Sequence, residues 1–122
     1  MILTAIVYLT IAYEASNQSV LCQQWVAKTI AVRSIERNLT PEEVCLQRFQ
    51  FSCWDKGKPT QKRRITKKEK IVAQHAWMRH DEVKARPNLY HDTSVNPAWS
   101  RHPKVKFLKQ IGTVRFYREE RG

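Results

Sequence analysis

The chain has 122 residues, 42% of them hydrophobic, which suits one folded domain with a modest core and excludes a disordered chain. Twenty-two Lys and Arg stand against 11 Asp and Glu, a formal net charge of +11, so the partner is expected to be anionic: nucleic acid, a membrane surface or an acidic polymer. Three cysteines (Cys22, Cys45, Cys53), an odd number with no CxxC, argue against a disulfide framework and a cysteine-rich zinc site, and are expected to be reduced, buried groups.

Met1 to about Ala15 reads as a helix that is apolar on nearly every side, as a central buried helix is. Leu3, Val7, Thr10 and Glu14 fall on one face of it. The run is too short to span a bilayer and lacks a basic leader and a following cleavage site, so it is expected to be a core helix and not a signal peptide. Ser16 to Ser19 is a turn, and Ser19 caps a second helix running to about Arg37, with Cys22, Val26, Ile30 and Arg33 on one face. Thr40-Pro41-Glu42-Glu43 opens a short helix with a capping box, which makes Glu42 and Glu43 helix-start acids.

Gln47 to Asp55 is expected to be extended or loop-like, and Lys56 to Ile65 an exposed connection. Thr66-Lys67-Lys68-Glu69 is a second capping box, starting a helix to about Val83 with Ile71, Val72, His75 and Ala76 toward one side. Arg86-Pro87 ends it. Asn88 to Lys104 reads as a long loop, Val105 to Gln110 as a short helix, and Gly112 to Arg118 as a strand. The expected class is α+β, mainly α, in a single domain over 1–122 with a small β element and no separate binding domain.

Glu14 is the residue with chemical promise. A carboxylic acid donates a proton near neutral pH only when its pKa is raised, and burial among apolar groups raises it. A helix C-terminus pushes the same way through its negative end of the dipole. The plainer reading is an exposed acid at a fraying helix end.

Longer blocks now bear on it. Glu14-Ala15, with Arg33 nineteen residues past Glu14 at the end of an apolar helix, resembles the EARGE…AVAxVILNR block of the spore-cortex-lytic cell wall hydrolases, the SleB-type family. Gln50-Phe51-Ser52-Cys53-Trp54 resembles its QFSCW. Tyr90-His91 followed by Val95-Asn96-Pro97-Ala98-Trp99 resembles YH…VNPxW, and Ile111-Gly112 with Phe116-Tyr117-Arg118 resembles the IGNHxFYR ending. The resemblance implies a lysozyme-like, mainly helical fold, cleavage of peptidoglycan glycan strands, and Glu14 as the general acid. It also implies that one Glu suffices if the enzyme is a lytic transglycosylase, where the muramic acid C6 hydroxyl closes a 1,6-anhydro ring. A water-using muramidase is the alternative within the class, and a non-catalytic basic nucleic-acid-binding module the alternative outside it. Three departures stand out: Gln18 replaces the family's second acid, Val32 its Asn, and Thr113-Val114 its Asn-His.

Gln50, Phe51, Tyr90 and His91 are the candidates for lining the sugar cleft, since amides and hydroxyls bind sugar polar groups and aromatic faces stack on rings. Phe51, with Cys53 and Trp54, reads equally as core, and His91 as a loop clasp bonded to backbone. No cofactor is expected. His75 and His80, five apart, do not share a helix face, and no HExxH occurs, so no metal is expected. The eight basic residues of Lys56 to Lys70 are expected to draw the protein to anionic wall or outer-membrane polymers, with nucleic-acid phosphate as the rival partner. The protein is expected to be a monomer of the phage endolysin type, made in the cytoplasm without a signal peptide and reaching the wall after release or delivery by another factor.

Overall fold

The computed structural model describes residues 2–47, 54–55, 58–59 and 64–120. Among these, three α-helices gather around the first, and a three-stranded sheet closes one end: α1 (Ile2–Ala15), α2 (Val20–Arg37), α3 (Pro41–Leu46), a minimal antiparallel pair β1 (Trp54–Asp55) and β2 (Lys58–Pro59), α4 (Lys67–Met78), β3 (Leu89–Asp92), β4 (Val105–Ile111) and β5 (Val114–Glu119). The class is α+β and mainly α.

The apolar character of α1 sets the arrangement. No side chain from residue 5 to 15 is exposed; Val7, Thr10, Ile11, Ala12 and Ala15 are buried outright. A helix without a polar face must be covered on all sides, and α2, α3 and α4 all pack against it. The one polar group buried within it is tied down locally, Thr10 Oγ1 donating to the Ile6 carbonyl at 2.7 Å.

The helix starts follow their capping residues. Ser19 accepts from the Cys22 amide at 3.1 Å. Thr40 and Glu43 exchange side chain and backbone bonds of 2.8 and 3.1 Å, and Thr66 and Glu69 do the same at 2.9 and 3.1 Å. Each such cap stabilises by about 1 kcal/mol. Asn38 ends α2 in the left-handed conformation (φ 53°), which lets its own amide and that of Leu39 reach back to the carbonyls of Ile35 and Ser34. Cys22 and Cys45 are free thiols in the core, their pKa pushed up to about 12 by burial, as inert small hydrophobes are.

Four expectations need correction. The helix from Thr66 stops at Met78, not Val83; Arg79 leaves helical geometry and a 3₁₀ turn follows over His80–Glu82, its first ring bonded to the Trp77 carbonyl at 2.7 Å. The buried side of α4 is Ala73 and Ala76, while Ile71 and His75 are exposed. Two alanines permit close approach to α1 and α2, and that gain outweighs burying one Ile. Ile65, placed in an exposed connection, is buried against the core. Finally, Asn88 to Lys104 contains β3 and a 3₁₀ turn (Ala98–Arg101), and Val105 to Ile111 is a strand and not a helix. Six or seven residues carry too little periodicity to separate the two, and the pairing partner decides.

That partner is β5, the centre of the order β3-β5-β4, antiparallel to both. Gly112 and Thr113 form the two-residue turn between β4 and β5, with Ile111 opposite Val114. An irregularity at Leu108 sets two β4 residues against one on β5, leaving Phe107 opposite Tyr117. One sheet face (Val114, Phe116, Tyr90) packs toward the helices; the other carries His91, Arg115, Tyr117 and Phe107.

Gly112 has φ +57°, and a Cβ there would sit 2.6 Å from Gln18 Oε1. Gly112→Ala is therefore expected to destabilise by about 1–2 kcal/mol, the cost of a side chain in the left-handed region. Urea unfolding measures it; unchanged stability would contradict this turn geometry.

Candidate active site

Glu14 stands in the last turn of α1, where the apolar bundle opens to solvent. It is half-buried and lines two adjoining cavities of about 330 and 370 Å³ that share Asn17. Tyr90, 76 residues away on β3, donates its hydroxyl to Glu14 Oε1 at 2.5 Å. The Tyr90 ring leans on Phe116, centroids 5.6 Å apart, and Phe116 leans on Trp25 at 5.3 Å; Phe116 is fully buried. Beneath them lies Arg33, its Nε donating to the Asn88 carbonyl at 2.7 Å and its guanidinium 6.0 Å from the Tyr90 ring centre. Burial lowers the pKa of Arg33 without discharging it, since arginine ionises far above neutral.

Burial is the largest influence on the Glu14 carboxyl and raises its pKa; the Tyr90 hydrogen bond and the Arg33 charge oppose it without reversing it. The helix end is thus a placed acid and not a frayed exposed one. Because Tyr90 occupies Oε1, Oε2 is the oxygen left to carry a proton toward the cleft.

A second carboxylate enters the same cavity. Asp92 lines it together with Glu14, Asn17, Gln18 and Tyr90. Asp92 is exposed, and hydrogen bonds from the Ser94 backbone and side chain and from Thr113 hold its pKa below the usual value. The Ser94 amide donates to Oδ1 at 2.8 Å and Thr113 Oγ1 to Oδ2 at 2.9 Å. Gln18 Nε2 in turn donates to Thr113 Oγ1 at 3.0 Å. Two of the positions that depart from the family blocks, Gln18 and Thr113, are therefore bonded to each other beside Glu14. Sequence reasoning missed Asp92, which belongs to none of the quoted blocks; its neighbour His91 was the only local sign.

His91 faces away from Tyr90. Its ring stacks on Tyr117 (5.3 Å) and meets Trp99 edge-on (5.6 Å). Arg115 Nε donates to the Tyr117 hydroxyl at 3.0 Å, which leaves that hydroxyl to donate to His91 Nε2 at 2.8 Å, while His91 Nδ1 donates to the Asp92 carbonyl at 2.7 Å. His91 thus clasps backbone, the second of its two expected roles, and still borders the Glu14 cavity.

Of the expected cleft residues, Tyr90 and His91 gather at Glu14, whereas Gln50 and Phe51 lie outside the described residues, as do Cys53 and residues 56–57 and 60–63 of the basic segment. Among the described residues no group of three His, Cys, Asp or Glu side chains comes together to hold a metal, and no helix is long and apolar enough to cross a membrane.

A family model described as Cell Wall Hydrolase matches residues 17–117, most of the chain. The protein belongs to this cell wall hydrolase family, and membership gives it a peptidoglycan-degrading role. The match begins three residues past Glu14, so the acid rests on the geometry above and on the resemblance of its own block. No curated protein and no solved structure matches the chain.

The raised pKa carries two expectations. In the folded state Glu14 holds its proton to higher pH than when unfolded, so its charge weakens the fold as pH climbs from the unfolded carboxyl range through the raised folded value. Glu14→Gln, which keeps an acceptor for Tyr90, is expected to be more stable than wild type at pH 7, the two converging in acid. Denaturant titrations at both pH values decide it, and a less stable variant at pH 7 would contradict the burial. Tyr90→Phe removes a bond that lowers the Glu14 pKa, so the alkaline limb of activity is expected to move to higher pH. A limb that stays in place or moves down would separate Tyr90 from the acid.

Proposed function

We propose that this protein cleaves the β-1,4 bond between N-acetylmuramic acid and N-acetylglucosamine, with Glu14 as the general acid. The observation that carries the reading is a half-buried carboxyl of raised pKa, fixed at one oxygen by Tyr90 and opening onto cavities on both sides. A glycan laid through these cavities would bring its bridging oxygen to Oε2. Protonation there breaks the C1–O bond, and the leaving sugar departs as an alcohol.

The oxocarbenium-like centre then needs a nucleophile. In the transglycosylase reading, the C6 hydroxyl of the muramic acid attacks C1 and returns its proton to Glu14, leaving a 1,6-anhydro sugar and consuming no water. One acid suffices, consistent with Gln18 standing where the family has its second. The muramidase reading draws support from Asp92: an ionised carboxylate in the cavity of a raised-pKa acid is the pairing that two-carboxylate glycosidases use. In that case Asp92 would steady the developing cation or activate a water.

The segment Lys56 to Lys70 and the overall charge of +11 suit attraction to anionic wall or outer-membrane polymers, an effect that weakens with salt. Acting on the wall would follow release or delivery by another factor, as for an endolysin.

Clearing of a peptidoglycan suspension tests the reading. Wild type is expected to clear it, and Glu14→Gln to lose at least about a hundredfold in rate, the scale of removing a general acid. Clearance by Glu14→Gln at the wild-type rate would remove Glu14 from the mechanism. Mass spectrometry of the fragments separates the two chemistries, since anhydro products are lighter than hydrolytic ones by one water. Salt-sensitive DNA binding without clearance would point instead to a nucleic-acid-binding module.

A further inference from the structure

Beyond the Glu14 cleft, on the opposite face of β3, lies a larger hollow of about 590 Å³. It shares His91 and Val95 with the Glu14 cavity, so the two meet across β3, an edge strand. Arg101, Arg115, Asn96 and Phe107 complete the part of its lining that matters here.

Arg115 is fixed before any ligand arrives. Nε is bonded to Tyr117, Nη1 to Gln110 Oε1 at 2.8 Å, and the guanidinium lies 4.2 Å from the centre of the Phe107 ring. Arg101, in the 3₁₀ turn, is held by Asn96 Oδ1 at 2.8 Å. Neither arginine has a carboxylate partner among the described residues, whereas Arg79 and Arg118 do. Two anchored guanidinium groups lining one hollow, Arg115 over the exposed Phe107 ring, with no carboxylate partner among the described residues, make a site for a planar anion. A guanidinium fork matches a carboxylate with two parallel bonds, and anchoring by other groups leaves little ordering to be done on binding.

We propose that this hollow is a carboxylate subsite that receives the peptide branch of the glycan strand held at Glu14. The proposal rests on the reading of the Glu14 cleft as a glycan site. Its placement argues for a branch and not for the main chain: a sugar backbone running past Glu14 stays on the Tyr90 side of β3, and only a substituent turning over the strand edge reaches Arg115. The peptides borne by peptidoglycan are such substituents and carry free carboxylates.

The test compares peptide-bearing glycan strands with the same strands stripped of peptide by an amidase. Wild type is expected to prefer the peptide-bearing form, and Arg115→Gln and Arg101→Gln each to reduce that preference by about tenfold, the scale of a lost charged hydrogen bond. A preference kept intact in both variants would overturn the subsite. Arg101 sits on an exposed turn, so its variant remains informative if loss of Arg115 disturbs Tyr117. Calorimetric binding of a soluble disaccharide–peptide to the Glu14→Gln protein supplies a readout that needs no turnover. If wild type clears no wall but this ligand binds and Arg101→Gln weakens it, the cleavage reading fails and the subsite stands. If inorganic phosphate displaces the ligand while acetate does not, the site is one for phosphate and the carboxylate assignment falls.

Discussion

The site depends on a buried arginine. Arg33 projects from the last turns of α2 into the seam between the helices and the sheet, and its bond to the Asn88 carbonyl fixes where β3 begins. Asn88 itself is buried and spends its side chain on both sides of the seam, donating to Glu36 on α2 and to the Glu119 carbonyl while accepting from the Glu119 amide. Glu36 also pairs with Arg118 of β5. Buried charges of this kind are costly unless each is met by partners, and here the partners are the backbone and side chains that dock the sheet. The pay-off is positional. With the chain anchored at Asn88, just before β3, Tyr90 lands two residues on, over Arg33 and against Glu14.

That arrangement explains how a carboxyl can be raised in pKa yet held in one orientation. Desolvation alone would favour a neutral acid with no preferred rotamer. The Tyr90 hydroxyl fixes one oxygen and the Arg33 charge keeps the anion accessible, so both protonation states have a defined place. On the proposed mechanism the acid must surrender a proton and then take one back, and this balance suits that. The aromatic stack of Tyr90, Phe116 and Trp25 carries the constraint into the core.

Much of this is legible in the sequence, and the exceptions have a common cause. Helix starts are written locally: a Ser or Thr, with a Glu three residues on in two cases, is enough to place Ser19, Thr40 and Thr66. The central position of α1 follows from its having no polar face. The errors fall where a distant segment decides the outcome. Leu89–Asp92 and Val105–Ile111 are strands because Val114–Glu119 lies between them, and neither has enough residues to announce a period of its own. The buried face of α4 is chosen by what fits against α1 and α2, which favours alanine over isoleucine. Glu14 and Tyr90 are readable as separate residues, but their contact is not, since it spans 76 positions.

The exchange of family residues around position 18 becomes intelligible only in space. An acid at position 18 would stand in the cavity that Asp92 already lines, linked to it through Thr113. Two carboxylates so placed would repel, raising the pKa of one and loosening the hydrogen bonds that keep Asp92 ionised. Gln18 avoids that conflict. Its amide donates to Thr113, and Thr113 is then free to donate its own hydroxyl proton to Asp92, so the three groups form a directed chain with each donor matched to an acceptor. An ionised glutamate at 18 has no proton to donate and could not begin it. Gln18 bonded to Thr113 thus leaves the cleft with one acid of raised pKa and one carboxylate of lowered pKa, on different elements, facing the same space.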